Sequence, residues 1–407
     1  MKNIKIVIGA NFGDEGKGLM TDYFCSKFPD HEKVLNVRFN GGAQAGHTVV
    51  APDGRRHVFH HFGSGSFLPN VATYLGREFI ANPILFRKEY EELERIGIYP
   101  MVYVHPKCLL TIPQDMMMNQ FLETARGADR HGSCGAGIFE TKMRSRIYTG
   151  WTVEQTDFGM LDFPYLIDYD AERYERLLGI PMSHEIKRAL NNQNIQAHFM
   201  DDVDFFLNHI IVADEGILER FDSIVFEGGQ GLMLDQNNMD YFPHLTPSNT
   251  GIKNVISMLK DLSEKNMNIE ACYVTRPYLT RHGAGKLPDE CTREETGAKI
   301  DLTNVENEWQ GKLRYGKLDQ KKLVERCFGD FCRQMAYFSD ANTQITFALT
   351  HIDEFAKPGR PVEETSCTEP FGGSITDITD ICDGIYSSYG PTRKDVRQVC
   401  KYICPQN

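Results

Sequence analysis

Four short apolar runs, each leading into glycine or polar residues, most strongly constrain the fold of this 407-residue chain. They cover residues 4–10, 223–231, 271–285 and 344–355. Runs of this length are typical of buried strands that end in loops. Helical patterns lie between them, such as residues 84–97 and residues 261–268. The alternation predicts an α/β fold with a largely parallel central sheet.

The length would allow two or three domains, but large α/β enzymes often keep one continuous sheet. The sequence has no internal repeat, low-complexity tract or long linker. We therefore predict a single domain over residues 1–407. In parallel sheets, ligands bind beyond the carboxyl ends of the strands, and the glycine-rich motifs of this chain follow its predicted strands.

Charge and cysteine content narrow the class of protein. The net charge of −12 argues against nucleic acid as the main partner, although small anionic ligands need only a local basic pocket. Eleven cysteines without a CxxC pair indicate reduced thiols rather than a zinc site. The start lacks a signal-peptide pattern, and no apolar run approaches the ~20 residues of a membrane span. We expect a cytoplasmic protein, or a protein made in a host cytoplasm, without a membrane partner.

The segment "GANFGDEGKG", residues 9–18, resembles a phosphate-binding loop without matching the Walker A pattern, because Gly18 follows Lys17. Glycines allow backbone N–H groups to converge on an anion, the following helix presents its N-terminus, and Lys17 adds a positive charge. A hydroxyl ligand for Mg²⁺ is missing, and Asp14 can supply an oxygen instead. The alternative is an ordinary glycine turn with solvated charges.

A second segment, "FNGGAQAGHTVV" at residues 39–50, has small residues around a polar pair. Such residues indicate a close approach of the backbone to a ligand. His47 is a candidate general acid or a donor to a developing negative charge. A structural histidine is the alternative.

With both segments in view, the chain resembles an adenylosuccinate synthetase. That family pairs a GDEGKG loop, here residues 13–18, with an NAGHT-type segment, here residues 44–48. Its later landmarks follow in the same order over residues 4–395. They are "FEGGQGLMLD" (226–235), "DYFPHLTPSN" (240–249), "TRPYLTRHGAGKLPDE" (275–290), "LTHIDEF" (349–355) and "SSYGPTRKD" (387–395).

The resemblance implies a P-loop-like nucleotide-binding fold, usually homodimeric, that joins aspartate to C6 of inosine monophosphate (IMP) with GTP and Mg²⁺. It implies that Asp14 is the base that removes the N1 proton and a metal ligand, that His47 stabilises the transferring phosphoryl group, and that the Gly46 carbonyl is a second metal ligand. The triphosphate would contact Gly13, Glu15, Gly16, Lys17, Gly18, Gly46, Thr48, Asp353, Ser388 and Gly390. The purine monophosphate would contact Gln44, Ser133, Cys134, Gln230 and Thr246, with Arg144 or Arg146 reaching the nucleotide of the partner subunit.

Several segments depart from the family pattern. In residues 130–142, Ser133 and Cys134 replace threonines. Gln44 stands where the family has asparagine, and His351 stands where it has lysine, which leaves GTP against ATP open. The threonine-rich loop that binds aspartate is replaced by residues 306–319. The candidates there for binding the amino acid are Gln310, Lys312 and Arg314.

These departures suggest a divergent branch. One phage branch acts on deoxyguanosine monophosphate (dGMP) to make a 2-aminoadenine precursor, and its members often lose the acid equivalent to Asp14. This chain keeps Asp14, which favours IMP. Two further classes stay open: a non-catalytic nucleotide sensor, and a P-loop GTPase switch, which the absent GK[ST] disfavours.

Overall fold

The computed structural model describes residues 1–147, 151–156, 163–301, 304, 311–338 and 341–399. Its strands are β1 (Lys2–Gly9), β2 (Val34–Arg38), β3 (His47–Val50), β4 (Arg56–Phe59), β5 (Val71–Leu75), β6 (Ile80–Ala81), β7 (Val102–Val104), β8 (Leu109–Leu110), β9 (Ile211–Val212), β10 (Ser223–Gly231), β11 (Met267–Thr275), β12 (Tyr278–Arg281), β13 (Glu290–Cys291), β14 (Arg314–Lys317), β15 (Asn342–Leu349), β16 (Gly384–Ser388) and β17 (Val396–Val399). Its α-helices are α1 (Lys17–Cys25), α2 (Pro83–Arg95), α3 (Pro113–Arg126), α4 (Ile138–Ile147), α5 (Val153–Thr156), α6 (Phe163–Leu178), α7 (His184–Leu190), α8 (Gln193–Asn208), α9 (Lys253–Leu259), α10 (Arg293–Thr296), α11 (Gln320–Met335) and α12 (Thr376–Thr379).

Ten of these strands form one sheet in the order β17-β16-β15-β11-β1-β10-β2-β5-β7-β9. Every neighbouring pair is parallel except β16 and β17. The predicted α/β fold with a mainly parallel sheet is therefore confirmed. The four apolar runs that predicted it contribute β1, β10, β11 and β15.

Strand β1 lies in the centre of the sheet, and side chains pack on both of its faces. Ile4, Ile6 and Ile8 pack into the core on one face, and Val7 packs on the other against Phe24 of α1. Alternate residues of a strand point to opposite faces, so a strand between two helical layers needs apolar residues at nearly every position. Within residues 4–9 the one polar side chain is that of Lys5, which pairs with Glu270 of β11 at 2.6 Å.

One predicted helix is wrong. Residues 261–268 form no helix: α9 ends at Leu259, and β11 begins at Met267. Leu262 is buried in the core, and the Ser263 N–H donates to the Glu219 carboxylate at 2.5 Å. These tertiary contacts override a short, weakly periodic pattern.

The direction of the strands sets where a site can form. Strands β1, β2, β10, β11, β15 and β16 run parallel, so their carboxyl ends lie at one edge of the sheet. A small antiparallel sheet, β12-β14-β13, follows β11. The motif segments of the sequence therefore meet at this edge.

Two further findings concern the described residues. No helix in the described part of the chain is long and apolar enough to cross a membrane. The nine cysteines that lie within the described ranges are free thiols.

Candidate active site

The first loop, residues 10–16, turns the chain sharply from β1 into α1. Gly13, Asp14 and Gly16 have φ angles of 120°, 61° and 94°. This left-handed region is common for glycine and rare for other residues, so Asp14 holds an unusual backbone conformation. Its carboxylate lies 3.4 Å from His282 Nε2, and its side chain is 25% exposed. Asp14 is therefore accessible to a ligand at the carboxyl edge of the sheet.

Glu15, the next residue, is in contrast buried. Its carboxylate accepts hydrogen bonds from the N–H groups of Asn11 (3.1 Å) and Gly13 (2.8 Å), and from Lys17 Nζ (2.8 Å). Burial disfavours the charged form, but Lys17 and these N–H groups outweigh it and lower the pKa of Glu15. Two groups predicted to hold phosphate, the Gly13 N–H and Lys17, are thus bonded to Glu15. Lys17 keeps further N–H donors, since an ammonium has three.

His47, at the start of β3, belongs to a buried charge cluster with Glu227 and Arg38. His47 Nδ1 lies 2.5 Å from Glu227 Oε1, and Arg38 Nη1 lies 3.0 Å from the same oxygen. Ser64 and Asn36 donate further hydrogen bonds to this carboxylate. Burial opposes the ionisation of Glu227, but Arg38 and His47 lower its pKa to about 2. Glu227 is therefore ionised and accepts the Nδ1–H of His47.

This arrangement fixes the chemistry available to His47. Burial, together with Arg38, lowers the pKa of His47 to about 4. Its Nε2 is buried without a hydrogen-bond partner in the described structure. A negatively charged phosphoryl group at Nε2 would raise this pKa and favour an Nε2–H that donates to it. Glu227 and Arg38 were not predicted as site residues, although a charged residue inside an apolar strand was a usable signal.

Two glutamine side chains lie against the glycines that follow β2. A Cβ atom at Gly41 would stand 2.9 Å from the Gln230 amide, and one at Gly42 would stand 3.0 Å from Gln44 Oε1. Both amide atoms of Gln230 and Oε1 of Gln44 are buried without a hydrogen-bond partner among the described residues. Buried polar groups are normally satisfied, so these atoms are suited to a polar ligand such as a purine base.

The second loop, residues 127–137, holds Ser133 and Cys134. The N–H groups of His131, Gly132 and Ser133 donate to the Glu123 carboxylate at 3.3, 2.9 and 3.2 Å. Burial disfavours the charged form of Glu123, but Arg126 and these N–H groups outweigh it and lower its pKa.

The side chains of the second loop are also engaged. The Ser133 hydroxyl donates to Asn119 at 2.7 Å, so a phosphate at Ser133 would have to displace that contact. Burial raises the pKa of the Cys134 thiol, which makes it a weak donor.

The two arginine candidates of α4 differ in their surroundings. Arg144 is buried and donates to Asp115 through Nε (2.9 Å) and Nη2 (2.7 Å), and to the Leu110 carbonyl at 2.8 Å. Arg146 is exposed on the same helix. Arg144 is thus held within this chain, whereas Arg146 lies at the surface.

The amino-acid candidates are only partly described. Arg314 Nε donates to Glu290 at 2.8 Å, and its Nη1 donates to the Gly285 carbonyl at 2.7 Å. A substrate carboxylate at Arg314 would have to replace Glu290. Lys312 lies two residues before Arg314 in the chain, and Gln310 lies outside the described residues.

Asp353 and Ser388 lie at or just beyond the ends of the neighbouring strands β15 and β16, and Thr246 lies between β10 and α9. Asp353 is in the 3₁₀ helix Ile352–Phe355, and burial raises the pKa of its carboxyl. Ser388 Oγ donates to the Gly390 carbonyl at 2.8 Å. Thr246 is buried, and its N–H donates to the Leu234 carbonyl at 3.0 Å.

Close packing joins the first loop to the His47 segment. A Cβ atom at Gly18 would stand 3.0 Å from the His47 Cβ, and one at Gly16 would stand 3.1 Å from Thr350 Cγ2. A Cβ atom at Gly46 would stand 2.9 Å from Val58 Cγ1, on the strand that pairs with β3 at Thr48. Glycine at these positions lets α1 and β3 approach each other, which brings the Asp14 loop and His47 to one place.

No group of three histidine, cysteine, aspartate or glutamate side chains among the described residues could hold a metal ion by itself. Mg²⁺ often binds through one or two protein oxygens with substrate phosphates and water. The partly exposed Asp14 carboxylate suits that mode, and the Gly46 carbonyl directly precedes His47, which packs against Gly18 of α1.

Comparison with known proteins identifies the family. The model of the family described as adenylosuccinate synthetase matches residues 6–325. This chain belongs to the adenylosuccinate synthetase family. The predicted resemblance is thereby confirmed.

Two relatives show how far the match with adenylosuccinate synthetases extends. The adenylosuccinate synthetase of Mesoplasma florum is 30% identical over 299 residues, 72% of this chain and 66% of the relative. That of Methylococcus capsulatus is 31% identical over 301 residues, 71% of this chain and 65% of the relative. The aligned part of this chain thus spans just under two thirds of these relatives.

Two solved structures share the fold. The fully ligated adenylosuccinate synthetase of Plasmodium falciparum matches with a TM-score of 0.69 and 19% identity, over 98% of this chain and all of that one. Cyanophage S-2L succinoaminodeoxyadenylate synthetase (PurZ), bound to dGMP and to dATP as an energy donor, matches with a TM-score of 0.62 and 18% identity, over 98% and 95%. At these identities the two structures establish the fold alone.

Proposed function

We propose that this chain is a C–N ligase that joins L-aspartate to C6 of a purine nucleoside monophosphate, with IMP as the first candidate and GTP as the phosphoryl donor. The observation that carries the proposal is the accessible Asp14 carboxylate on a strained turn at the N-terminus of α1. We also propose that the chain forms a single domain and is located in the cytoplasm. In the proposed homodimer, Arg146 contacts the monophosphate bound by the partner subunit.

The chemistry begins at N1 of the purine, because the O6 atom is a poor leaving group until it is phosphorylated. Asp14 takes the N1 proton, and the electrons of the N–H bond make O6 nucleophilic. O6 then attacks the γ-phosphorus, and the bond from that phosphorus to the β-phosphate oxygen breaks, which releases GDP. The free amine of aspartate next attacks C6, and the C6–O6 bond breaks, so that O6 leaves with inorganic phosphate. The attacking nitrogen gives up one proton to the solvent.

The surrounding residues position charge rather than form covalent bonds. His47 Nε2 would donate to the transferring phosphoryl group while Glu227 holds the other ring nitrogen. Lys17 would contact phosphate oxygens through the donors that Glu15 does not use. Mg²⁺, bound by Asp14 and the Gly46 carbonyl, would neutralise charge that develops on the phosphates.

The proposed monophosphate subsite has polar groups for a base. The unpartnered amides of Gln230 and Gln44 support contacts to the purine edge. Asp353, Ser388 and Gly390 are the proposed contacts of the triphosphate nucleobase, and Lys312 and Arg314 are those of aspartate.

A second candidate is the dGMP-dependent reaction with GTP or ATP. The structural match to a synthetase bound to dGMP and dATP favours it, as does His351 in the nucleobase segment. The presence of Asp14 favours IMP.

The test is a substrate matrix that measures phosphate release. IMP and dGMP are each combined with GTP, ATP or dATP, with and without aspartate. We expect release that requires IMP, GTP and aspartate together. Turnover with dGMP only would establish the second candidate. Tight GTP binding without turnover in any combination would make the chain a non-catalytic homologue, and GTP hydrolysis without a purine monophosphate would make it a GTPase switch.

A further inference from the structure

Side chains from neighbouring strand ends hold three successive carbonyl groups of the first loop. The contacts are Thr280 Oγ1 to the Gly13 carbonyl at 3.2 Å, Arg276 Nε to the Asp14 carbonyl at 2.5 Å, and Thr350 Oγ1 to the Glu15 carbonyl at 2.7 Å. The N–H of a peptide unit points opposite to its carbonyl. Fixing these carbonyls therefore also fixes the direction of the loop N–H groups.

Among these three side chains, Arg276 is the charged one and is deeply buried, with 4% exposure. Its Nη2 lies 3.1 Å from Asp301 Oδ2, and its Nη1 donates to the Tyr278 hydroxyl at 3.3 Å. A guanidinium has donors in a rigid planar fork, so it can hold three partners in fixed relative positions. A lysine has one nitrogen and cannot reach the same three positions.

A second path from Arg276 returns to the Asp14 side chain. Asn304 Nδ2 donates to Asp301 Oδ2 at 2.8 Å, and His282 Nε2 lies 3.2 Å from Asn304 Oδ1 and 3.4 Å from Asp14 Oδ2. Both of these neighbours of Nε2 are acceptors, so Nε2 carries the hydrogen. Arg276 is thus bonded to the Asp14 carbonyl directly and connected to the Asp14 carboxylate through Asp301, Asn304 and His282.

We propose that Arg276 is the positioning residue of this site, which fixes both the main chain and the carboxylate of Asp14. The left-handed conformation of Asp14 is rare for a residue with a side chain and persists only where surrounding contacts impose it. The closed ring of contacts supplies that constraint. The expected effect of Arg276 on catalysis rests on the proposed function. Its expected effect on the order of the loop rests on the structure alone.

The test compares three variants with the wild type and adds Arg276→Lys as the conservative replacement. Arg276→Met removes every donor, Asn304→Ala breaks only the path to the carboxylate, and Arg173→Met is the control. Arg173 is also buried and salt-bridged, to Glu140 at 3.1 Å, but it lies on α6. Hydrogen–deuterium exchange of amides 10–17 reports loop order, and steady-state kinetics report catalysis.

We expect Arg276→Met to lower kcat about 100-fold, the effect of a misplacement of about 1 Å, with each nucleotide KM changed less than about threefold. Loop amides should exchange about tenfold faster, as expected for the loss of a charge-assisted hydrogen bond. Asn304→Ala should lower kcat about five- to tenfold and leave loop exchange unchanged. Arg276→Lys should recover part of kcat, and it replaces Arg276→Met if the latter does not fold.

The two proposals fail in different ways. Unchanged loop exchange in Arg276→Met or Arg276→Lys, or the same exchange and kinetic changes in Arg173→Met, would overturn the role of Arg276. An unchanged kcat in Asn304→Ala would overturn the path through His282. Absence of ligation in the wild type would overturn the proposed function instead, and the exchange measurement would still decide the structural role of Arg276.

Discussion

The two glycine-rich loops at this edge of the sheet, residues 10–16 and 127–137, are stabilised in the same way. They differ in whether a second, accessible carboxylate lies beside the buried one. In each, backbone N–H groups converge on a buried glutamate that also binds a cation: Glu15 with Lys17 in the first loop, and Glu123 with Arg126 in the second. The first loop adds Asp14 beside its glutamate, partly exposed and next to His282. The comparison teaches that an internal carboxylate can shape a loop as a bound anion would, so glycine content alone does not show which N–H groups bind a ligand.

The largest expected effect is on kcat, and it distinguishes Asp14 of the first loop from Asp129 of the second. Asp14→Asn should lower kcat by about 10³-fold, within the usual range for a general base. Nucleotide dissociation constants should change less than about threefold, because the charge acts mainly in the transition state. Phosphate release and equilibrium binding measure the two effects. Asp129→Asn, an exposed acid of the second loop, is the control. Equal losses of binding and turnover in Asp14→Asn would make Asp14 a binding group.

The next effect concerns the stability of the first loop. Glu15→Gln should lower the free energy of unfolding by about 3 kcal/mol, because it leaves a buried lysine without its charge partner. The two side chains are only 2% and 3% exposed. Urea denaturation measures the change. The double variant Glu15→Gln with Lys17→Met should recover part of the loss, and a single-variant loss no larger than that of Glu123→Gln would remove the distinction between the loops.

The same substitution in the second loop should cost less. Arg126 is 20% exposed and stays partly hydrated. Glu123→Gln should therefore lower the free energy of unfolding by about 1–2 kcal/mol, chiefly through weaker hydrogen bonds to the loop N–H groups. Faster exchange of amides 131–133 with unchanged exchange at 10–17 would show that the loops are stabilised separately. Loss of protection in both loops would show that they form one unit.

The smallest effect is a pH dependence that both loops share. The folded-state pKa values of Glu15 and Glu123 are lowered, so each contributes stability that is present above the usual glutamate pKa of 4.5. That contribution is lost as the pH falls from 4.5 through the folded pKa. Glu15→Gln and Glu123→Gln should each flatten the acid side of the stability profile, measured by urea denaturation between pH 3 and pH 7. If the free energy of unfolding of a variant fell as steeply below pH 4.5 as that of the wild type, the replaced carboxylate would not be ionised in the folded protein.

The central sheet could be predicted from the sequence because each of its central strands is recognisable from its own short apolar run. A buried parallel strand is mostly apolar on both faces, and the short, mostly apolar runs of β1, β10, β11 and β15 can be recognised without reference to any other segment. The helix predicted at residues 261–268 does not form. Leu262 packs in the core and the Ser263 N–H donates to Glu219, and both partners lie elsewhere in the chain.

Only part of the candidate site can be read from the sequence, because several of its contacts join residues that are far apart in the chain. Asp14, Lys17 and His47 stand in short motifs, but the partner of His47 is Glu227, 180 positions away in the chain. The pairing of Lys17 with Glu15 depends on loop conformation, and that of Arg314 with Glu290 depends on how β13 and β14 pair; no periodicity encodes either. Charge in an apolar strand marks Glu227 and Arg38 as unusual, but only the fold shows that they meet.

The most direct measurement follows the O6 atom of the purine. IMP labelled with ¹⁸O at C6 is incubated with the wild-type protein, GTP, Mg²⁺ and aspartate, and the released phosphate is analysed by mass spectrometry. If Asp14 activates O6 for attack on the γ-phosphate, each phosphate released should carry one ¹⁸O atom. Unlabelled phosphate, formed at the same rate, would mean that water attacks the triphosphate and would contradict the proposed reaction.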